Sequence, residues 1–530
     1  MESAAEAGNE AGVSGAVEAS EGPKSMEQAR SQAQFCHELG FPAAAREACD
    51  FWLDLARREG AQDEEVGALT LQGSTHVLKG DYRGAVAPLL EAEKLARKLG
   101  RAGELPGIAT NLGRVYHRLG DLLKAQEYGR EAIAGCRAEP GTAGRAEALL
   151  VLSQAQAGLQ HWPEALNTAR DALQAALDRR TRGVVVEALN HLGHVTLQCG
   201  DEQGALNHLR EAYLTCSRSG SYRVAYSLAE LGWALLQAGQ LEEALQAANR
   251  ALATLFFSLE ALDRGEVARV CELYGVLLWS HGDNEGALQQ LNRAARYYGH
   301  LGMMREQARV VDRVFEVKSK NSDGSGLSPG PARQTMGLLS GVLDMTDDLE
   351  AADPHLYGHS EMVAVYAAAL GRQVGLDRRE LALLKQAARL HDVGMAKVNP
   401  AILTKQGELT PSEREAVEAH CQEGGKLLAK YRLAPEVLEA VRHHHEHYDG
   451  QGYPDRRAGE DIPLFSRIIA VADCYDALVN QRSFREAFKH TQAVETIAQE
   501  AGTKLCPHTV QAFVRMVKPR KESNLPPANA

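Results

Sequence analysis

The sequence predicts an all-α protein in two parts: an N-terminal superhelix of helical hairpins, followed by a helical domain that carries a metal site. Three observations predict it. Of 530 residues, 44% are hydrophobic but only 5% aromatic, and strands would draw on more aromatic and β-branched side chains than this. A motif returns about every 40 residues through the first 300. Beyond residue 350, histidines and aspartates occur in adjacent pairs. The length itself exceeds what one hydrophobic core organises, so more than one folding unit is expected.

Residues 1–24 are dominated by Ala, Glu, Gly and Ser, with no basic start and no apolar run. They lack the pattern of a signal peptide and are expected to be disordered, as is 519–530. No stretch approaches the roughly 18 consecutive apolar residues of a membrane span, so no membrane partner is expected. A formal charge of −12 argues against a nucleic-acid polymer as partner, because phosphate backbones are held by clustered Lys and Arg. A small anion can still be held by local metal charge. The nine cysteines are scattered without a CxxC pair, which fits reduced thiols in a cytoplasm.

Residues 25–317 form the repeat array. Gly40, Gly80, Gly120, Gly200, Gly239 and Gly282 are each followed five residues later by alanine, and Gln160 with Ala165 supplies a seventh, degenerate copy. Seven residues before each anchor the side chain is small: Ala33, Gly73, Gly113, Ser153, Gly193, Gly232 and Gly275. A small residue lets two helices approach closely, and a left-handed residue at the anchor closes the first of them. Each unit therefore reads as a helical hairpin. With Leu112, Gly113, Tyr116 and Ala125 in place, the unit resembles the tetratricopeptide repeat, with a longer period than usual. Such stacks present a concave face suited to a protein or peptide partner; support or homodimerisation of the following domain is the alternative use. Phe256-Phe257 and Tyr297-Tyr298 are expected mostly in the core.

Residues 318–334, KSKNSDGSGLSPGPARQ, read as a linker. The domain spanning 335–518 holds the chemistry. His391-Asp392 ends an apolar helical stretch from Leu381 to Leu390; His359 stands 32 residues upstream, and His420, His443-His444-His445-Glu446 and Asp473 follow downstream. Imidazole and carboxylate together suit a divalent cation, and so large a set suits two ions sharing one carboxylate. Two such ions hydrolyse a phosphodiester without a nucleophilic side chain.

At these residues the chain resembles the HD-GYP family, a branch of the HD phosphohydrolases. The matching segments are Asp353 to Ser360, His391-Asp392-Val393-Gly394, His444 to Pro454 and Asp473 to Leu478. The resemblance implies a phosphodiesterase that hydrolyses cyclic di-GMP to linear pGpG and/or GMP, with cyclic GMP-AMP open as substrate and iron or manganese as the pair of metals. It implies that His359, His391, Asp392 and Asp473 serve one metal. Asp392 would bridge to a second held by His420, His444 and His445, leaving His443 outside. His391 and Asp392 are thereby the catalytic centre, and Tyr453, Arg482 and Arg485 fall where the family contacts substrate phosphates or guanine.

Two departures stand out. Met395 occupies the place of a usual Lys after the His-Asp-x-Gly motif, with Lys397 as a potential substitute. His355 stands where members with three metals carry Glu, so two metals are the expectation. Met395 motivates a second reading, a weak or inactive nucleotide-sensing or protein-docking scaffold.

Overall fold

In the computed structural model the described residues are 25–138, 144–219, 223–257, 264–320, 358–403, 405, 407–429, 431, 433–481 and 486–517. Among them the regular elements are helices, with no strand. The repeat array opens with the hairpins α1 (Met26–Glu38) with α2 (Pro42–Glu59), α3 (Gln62–Leu78) with α4 (Tyr82–Lys98), and α5 (Leu105–Arg118) with α6 (Leu122–Ala138). It continues with α7 (Arg145–Gly158) and α8 (Trp162–Asp178), then α9 (Arg182–Gln198) and α10 (Glu202–Ser219). It ends with α11 (Val224–Gln237) and α12 (Leu241–Phe257), α13 (Arg264–Ser280) and α14 (Asn284–His300), and a further helix, α15 (Met304–Lys320).

The repeat signature has the physical meaning its spacing implies. Gly120 takes a left-handed φ of 82°, and the next amide, Asp121, bonds back to the Tyr116 carbonyl at 2.9 Å, which closes α5 and starts α6. The degenerate anchor Gln160 adopts the same conformation at φ 63°. A methyl group at Gly73 would stand 2.5 Å from Leu89 Cγ of the facing helix, and one at Gly193 equally close to Leu209. Ser153, the polar member of that series, donates to the Ala165 carbonyl at 2.7 Å. Tyr298 is buried in the core and donates to Glu272, which also accepts from Arg309 and Arg313 of α15. Tyr297 packs half-buried against the same core, while Phe256 and Phe257 end α12 and their side chains lie outside the described residues.

The array curls back on itself. Leu301, in the turn before α15, lies against Gly80 at the α3–α4 turn, and Arg305 donates to the Gly158 carbonyl at 3.5 Å. Helix α15 runs to Lys320, so the first three residues of the expected 318–334 linker belong to the helix, whose amphipathic face buries Val310, Val314 and Val317. The remainder of that linker lies outside the described residues.

The second part comprises α16 (His359–Val374), α17 (Arg378–Leu390), a 3-10 turn (Val393–Lys397), α18 (Pro400–Leu403), α19 (Pro411–Glu418) and α20 (His420–Ala429). After these come α21 (Pro435–His443), α22 (Leu464–Val479), α23 (His490–Gln499) and α24 (Pro507–Val517). Its core gathers Leu370, Leu384, Leu390, Val441, Ile468 and Phe513, and four residues of the first repeat hairpin, Cys36, Phe41, Ala44 and Ala45, belong to the same cluster. No described helix is long and apolar enough to cross a membrane.

Candidate metal centre

The histidines are delivered by helix ends. His359 opens α16 after Gly358, a residue at φ 80°; His391 closes α17, His420 opens α20 and His444 closes α21. Asp392 lies just past α17, between that helix and the 3-10 turn, so the His391-Asp392 pair marks a helix terminus and not a helix face. Gly394 explains the tight spacing: any side chain there would collide with the His420 carbonyl and the Gly424 amide. The absence of a Cβ lets the 3-10 turn rest on α20 and brings His391-Asp392 up to His420.

Two clusters result, sharing Asp392. One contains His359 and His391, the other His420, His444 and His445. Asp392 Oδ2 lies 3.3 Å from His391 Nε2 and 3.8 Å from His359 Nε2. Its other oxygen, Oδ1, lies 3.4 Å from His420 Nε2 and 3.7 Å from His444 Nε2. Asp473, from the middle of α22, places Oδ1 3.3 Å from His359 Nε2. The seven residues singled out from the sequence thus converge, although they span more than a hundred positions.

The ring orientation of four histidines is fixed from behind. His391, His420 and His444 each point Nδ1 at the backbone carbonyl three residues earlier, at 2.8, 2.7 and 2.7 Å. His359 Nδ1 meets Asp476 Oδ2 at 2.7 Å. With Nδ1–H donated backwards, the Nε2 lone pair of each ring faces the centre, the tautomer a metal requires. His391 Nε2 is buried with no hydrogen-bond partner. A buried nitrogen left without a partner is costly, and a cation between Nε2 and the carboxylates would satisfy it. The donor set of imidazoles and carboxylates in both clusters fits divalent cations.

Electrostatics agree with a site made for positive charge. Burial opposes ionisation of Asp392, yet His391, His444 and His420 hold its carboxyl well below the usual carboxylate range. Burial likewise depresses the His359 pKa, but Asp473 and Asp476 outweigh it and raise it well above the ordinary imidazole value. His445 is driven the other way, by burial and then by His444.

His443 lies outside both clusters. It is fully buried, with Nε2 3.4 Å from Asp455 and 3.7 Å from Glu439. Tyr453 stands at the rim, its ring 5.1 Å from that of His445 and 6.4 Å from that of His420. Met395 sits half-buried in the 3-10 turn, and Lys397 at the end of that turn is exposed to solvent. Arg482, Arg485 and His355 lie outside the described residues.

Sequence reading missed two supporting residues. Asp476 follows Asp473 by three positions, one turn along α22, and that spacing on an apolar helix was the available signal. Glu446, nearly fully buried, accepts from the Asp455 and Arg457 amides at 2.8 and 3.1 Å. It staples the loop that carries Tyr453, a structural use of a residue that a histidine cluster makes easy to mistake for a ligand.

Comparison with known proteins gives a match in each part of the chain. The tetratricopeptide repeat family pattern matches residues 105–178 and 184–255, and the HD domain pattern matches 345–508. The chain is 34% identical over 224 residues to the cyclic di-GMP phosphodiesterase response regulator RpfG of Xanthomonas campestris pv. campestris, covering 42% of this chain and 57% of that protein. It is 34% identical over 175 residues to 3'3'-cGAMP-specific phosphodiesterase 2 of Vibrio cholerae, covering 33% of this chain and 34% of that protein. Among solved structures, a Rap protein complexed with competence and sporulation factor is similar to 57% of this chain over 89% of its own, at 15% identity and a TM-score of 0.40. The chain spans only about a third to somewhat over half the length of the two relatives. This protein carries tetratricopeptide repeats ahead of an HD domain.

Proposed function

We propose that this chain is a metal-dependent phosphodiesterase for cyclic dinucleotides, hydrolysing cyclic di-GMP to linear pGpG and/or GMP, and regulated by a protein or peptide partner of the repeat array. The observation that carries the reading is Asp392, whose two oxygens face two separate imidazole clusters. A carboxylate so placed would be a ligand common to two ions. His359, His391, Asp392 and Asp473 would hold one, and Asp392, His420, His444 and His445 the other. Iron or manganese is the expected identity. Cations held there would supply Lewis-acid activation of a phosphodiester and a water of lowered pKa.

The chain's own residues supply the rest. Backbone carbonyls and Asp476 keep the imidazoles of His359, His391, His420 and His444 in the tautomer that leaves Nε2 free. Tyr453, at the rim beside His445, offers a phenol to a phosphate oxygen or a base, and Arg482 and Arg485 are assigned to the same task. Two relatives are named for different cyclic dinucleotides, cyclic di-GMP and 3'3'-cGAMP; cyclic di-GMP is the expected substrate here. The nine cysteines form no disulfide among themselves, as expected of a cytoplasmic protein.

Elemental analysis of the purified chain, joined to cleavage assays with both dinucleotides, tests the proposal. Iron- or manganese-loaded protein that leaves both intact over hours would sink it. Met395 favours a second reading, a scaffold that binds the nucleotide without turnover, because no cation follows Gly394 and Lys397 is turned to solvent. Tight binding without hydrolysis would select that reading.

A further inference from the structure

The first repeat hairpin is built into the second part of the molecule. Phe41 is the residue that leads into α2, and it is buried to 1% exposure. Its ring lies 4.6 Å from that of Tyr366 and 5.8 Å from that of Tyr475, which are themselves 4.9 Å apart. Tyr366 is on α16, the helix that His359 opens. Tyr475 on α22 directly precedes Asp476, the residue that holds His359 Nδ1. The hairpin is pinned around this wedge: Glu47 accepts from Thr491 Oγ1 at 2.8 Å and from its amide at 3.3 Å, and Gln32 donates to the Val517 carbonyl at 3.3 Å. A later hairpin of the array touches the neighbouring helix α17, since Arg389 of α17 donates to the Leu255 carbonyl of α12 at 3.1 Å.

We infer that Phe41 is a positioning residue of the metal centre. It wedges α16 against α22 and so fixes the Asp476–His359 pair that aims one imidazole at the His359 half of the site. The second half does not share this support. His420 and His444 are oriented by the carbonyls of Val417 in α19 and Val441 in α21, and no array residue is among those carbonyls. Loosening the wedge therefore affects one ion selectively. The same connection gives the repeat array a mechanical route into catalysis, because anything that shifts α1 and α2 shifts Tyr475. The inference rests on the two-ion reading above.

The test is metal binding by the full-length Phe41→Ala variant, followed by titration calorimetry and elemental analysis with manganese. The unmutated chain should bind two ions. Phe41→Ala should lose about 10- to 100-fold in affinity for one of them, the range seen when support behind a ligand is removed, and keep the other within about threefold. Phe41→Leu, which refills most of the space, should recover most of the loss. Should Phe41→Ala fail to fold, Glu47→Ala loosens the same hairpin without opening a core cavity and should weaken the same ion in the same direction. Unchanged affinities, or equal weakening of both ions, overturn the positioning role while leaving the hydrolase reading intact. An unmutated chain that binds fewer than two ions overturns both.

Discussion

Asp476 Oδ2 meets His359 Nδ1 at 2.7 Å in a fully enclosed contact, while Asp476 Oδ1 accepts from Asn480 Nδ2 at 2.9 Å. A carboxylate behind a ligating imidazole sets its tautomer and raises its basicity. Asp476→Asn keeps an acceptor but loses the charge. We expect about a tenfold loss of affinity for the ion at His359, read by calorimetry, with the helical circular dichroism unchanged. Unaltered binding would show that Asp476 serves only the packing of α16 on α22.

Asp392 differs from every other donor because both clusters depend on it. Asp392→Asn should strip both ions and reduce hydrolysis by about 10³-fold or more, the loss of several kcal/mol of charge stabilisation. Metal analysis distinguishes this from a folding defect. Retention of either ion at full affinity would contradict the shared-bridge geometry.

Met395 occupies the turn immediately after the Asp392 and Gly394 pair. If a cation at that position assists the scissile phosphate, Met395→Lys raises kcat by about tenfold or more, which corresponds to about 1.4 kcal/mol in the transition state. A steady-state assay on matched metal-loaded samples decides it. An already active enzyme that gains nothing removes the main support for the scaffold reading.

His490 is nearly fully buried, and its Nδ1 shares a hydrogen bond of 2.8 Å with the Tyr475 hydroxyl. Burial lowers its pKa to about 4, whereas the unfolded chain has the ordinary value of about 6.5. The unfolded state therefore binds more protons between these values, so this stabilisation is complete above about pH 6.5 and is lost as pH falls toward 4. At pH 5 the loss is roughly 2 kcal/mol by linkage. Urea denaturation at pH 7 and pH 5 measures it, and His490→Gln should lose correspondingly less on acidification. Identical pH dependence in the two proteins would exclude this role.

The burial of Cys36 gives a chemical check on the docked hairpin. Its thiol, buried and then influenced by Glu47, is pushed up to about 12, so it stays protonated and unreactive at pH 8. Alkylation followed by mass spectrometry should modify the exposed Cys199 long before Cys36. Phe41→Ala should speed labelling of Cys36 several-fold, whereas equal rates in both proteins would mean the hairpin is not held by Phe41.

What the sequence determined by itself is whatever recurs locally or needs a particular element. The 40-residue spacing of Gly and Ala encodes the hairpins because each turn needs a left-handed residue and each helix pair a small one, as Gly120 and Gly73 demonstrate. The adjacent His-Asp and His-His pairs disclosed a metal site because few other uses need those donors side by side. Tertiary structure alone decided which Asp392 oxygen faces which cluster, that Asp476 stands behind His359 across 117 positions, and that Phe41 completes a core hundreds of residues away. Those pairings come from chain crossings that bury apolar surface at long range. A phenylalanine that fills its own hairpin and one that wedges a second domain have the same local pattern, so only the folded chain separates them.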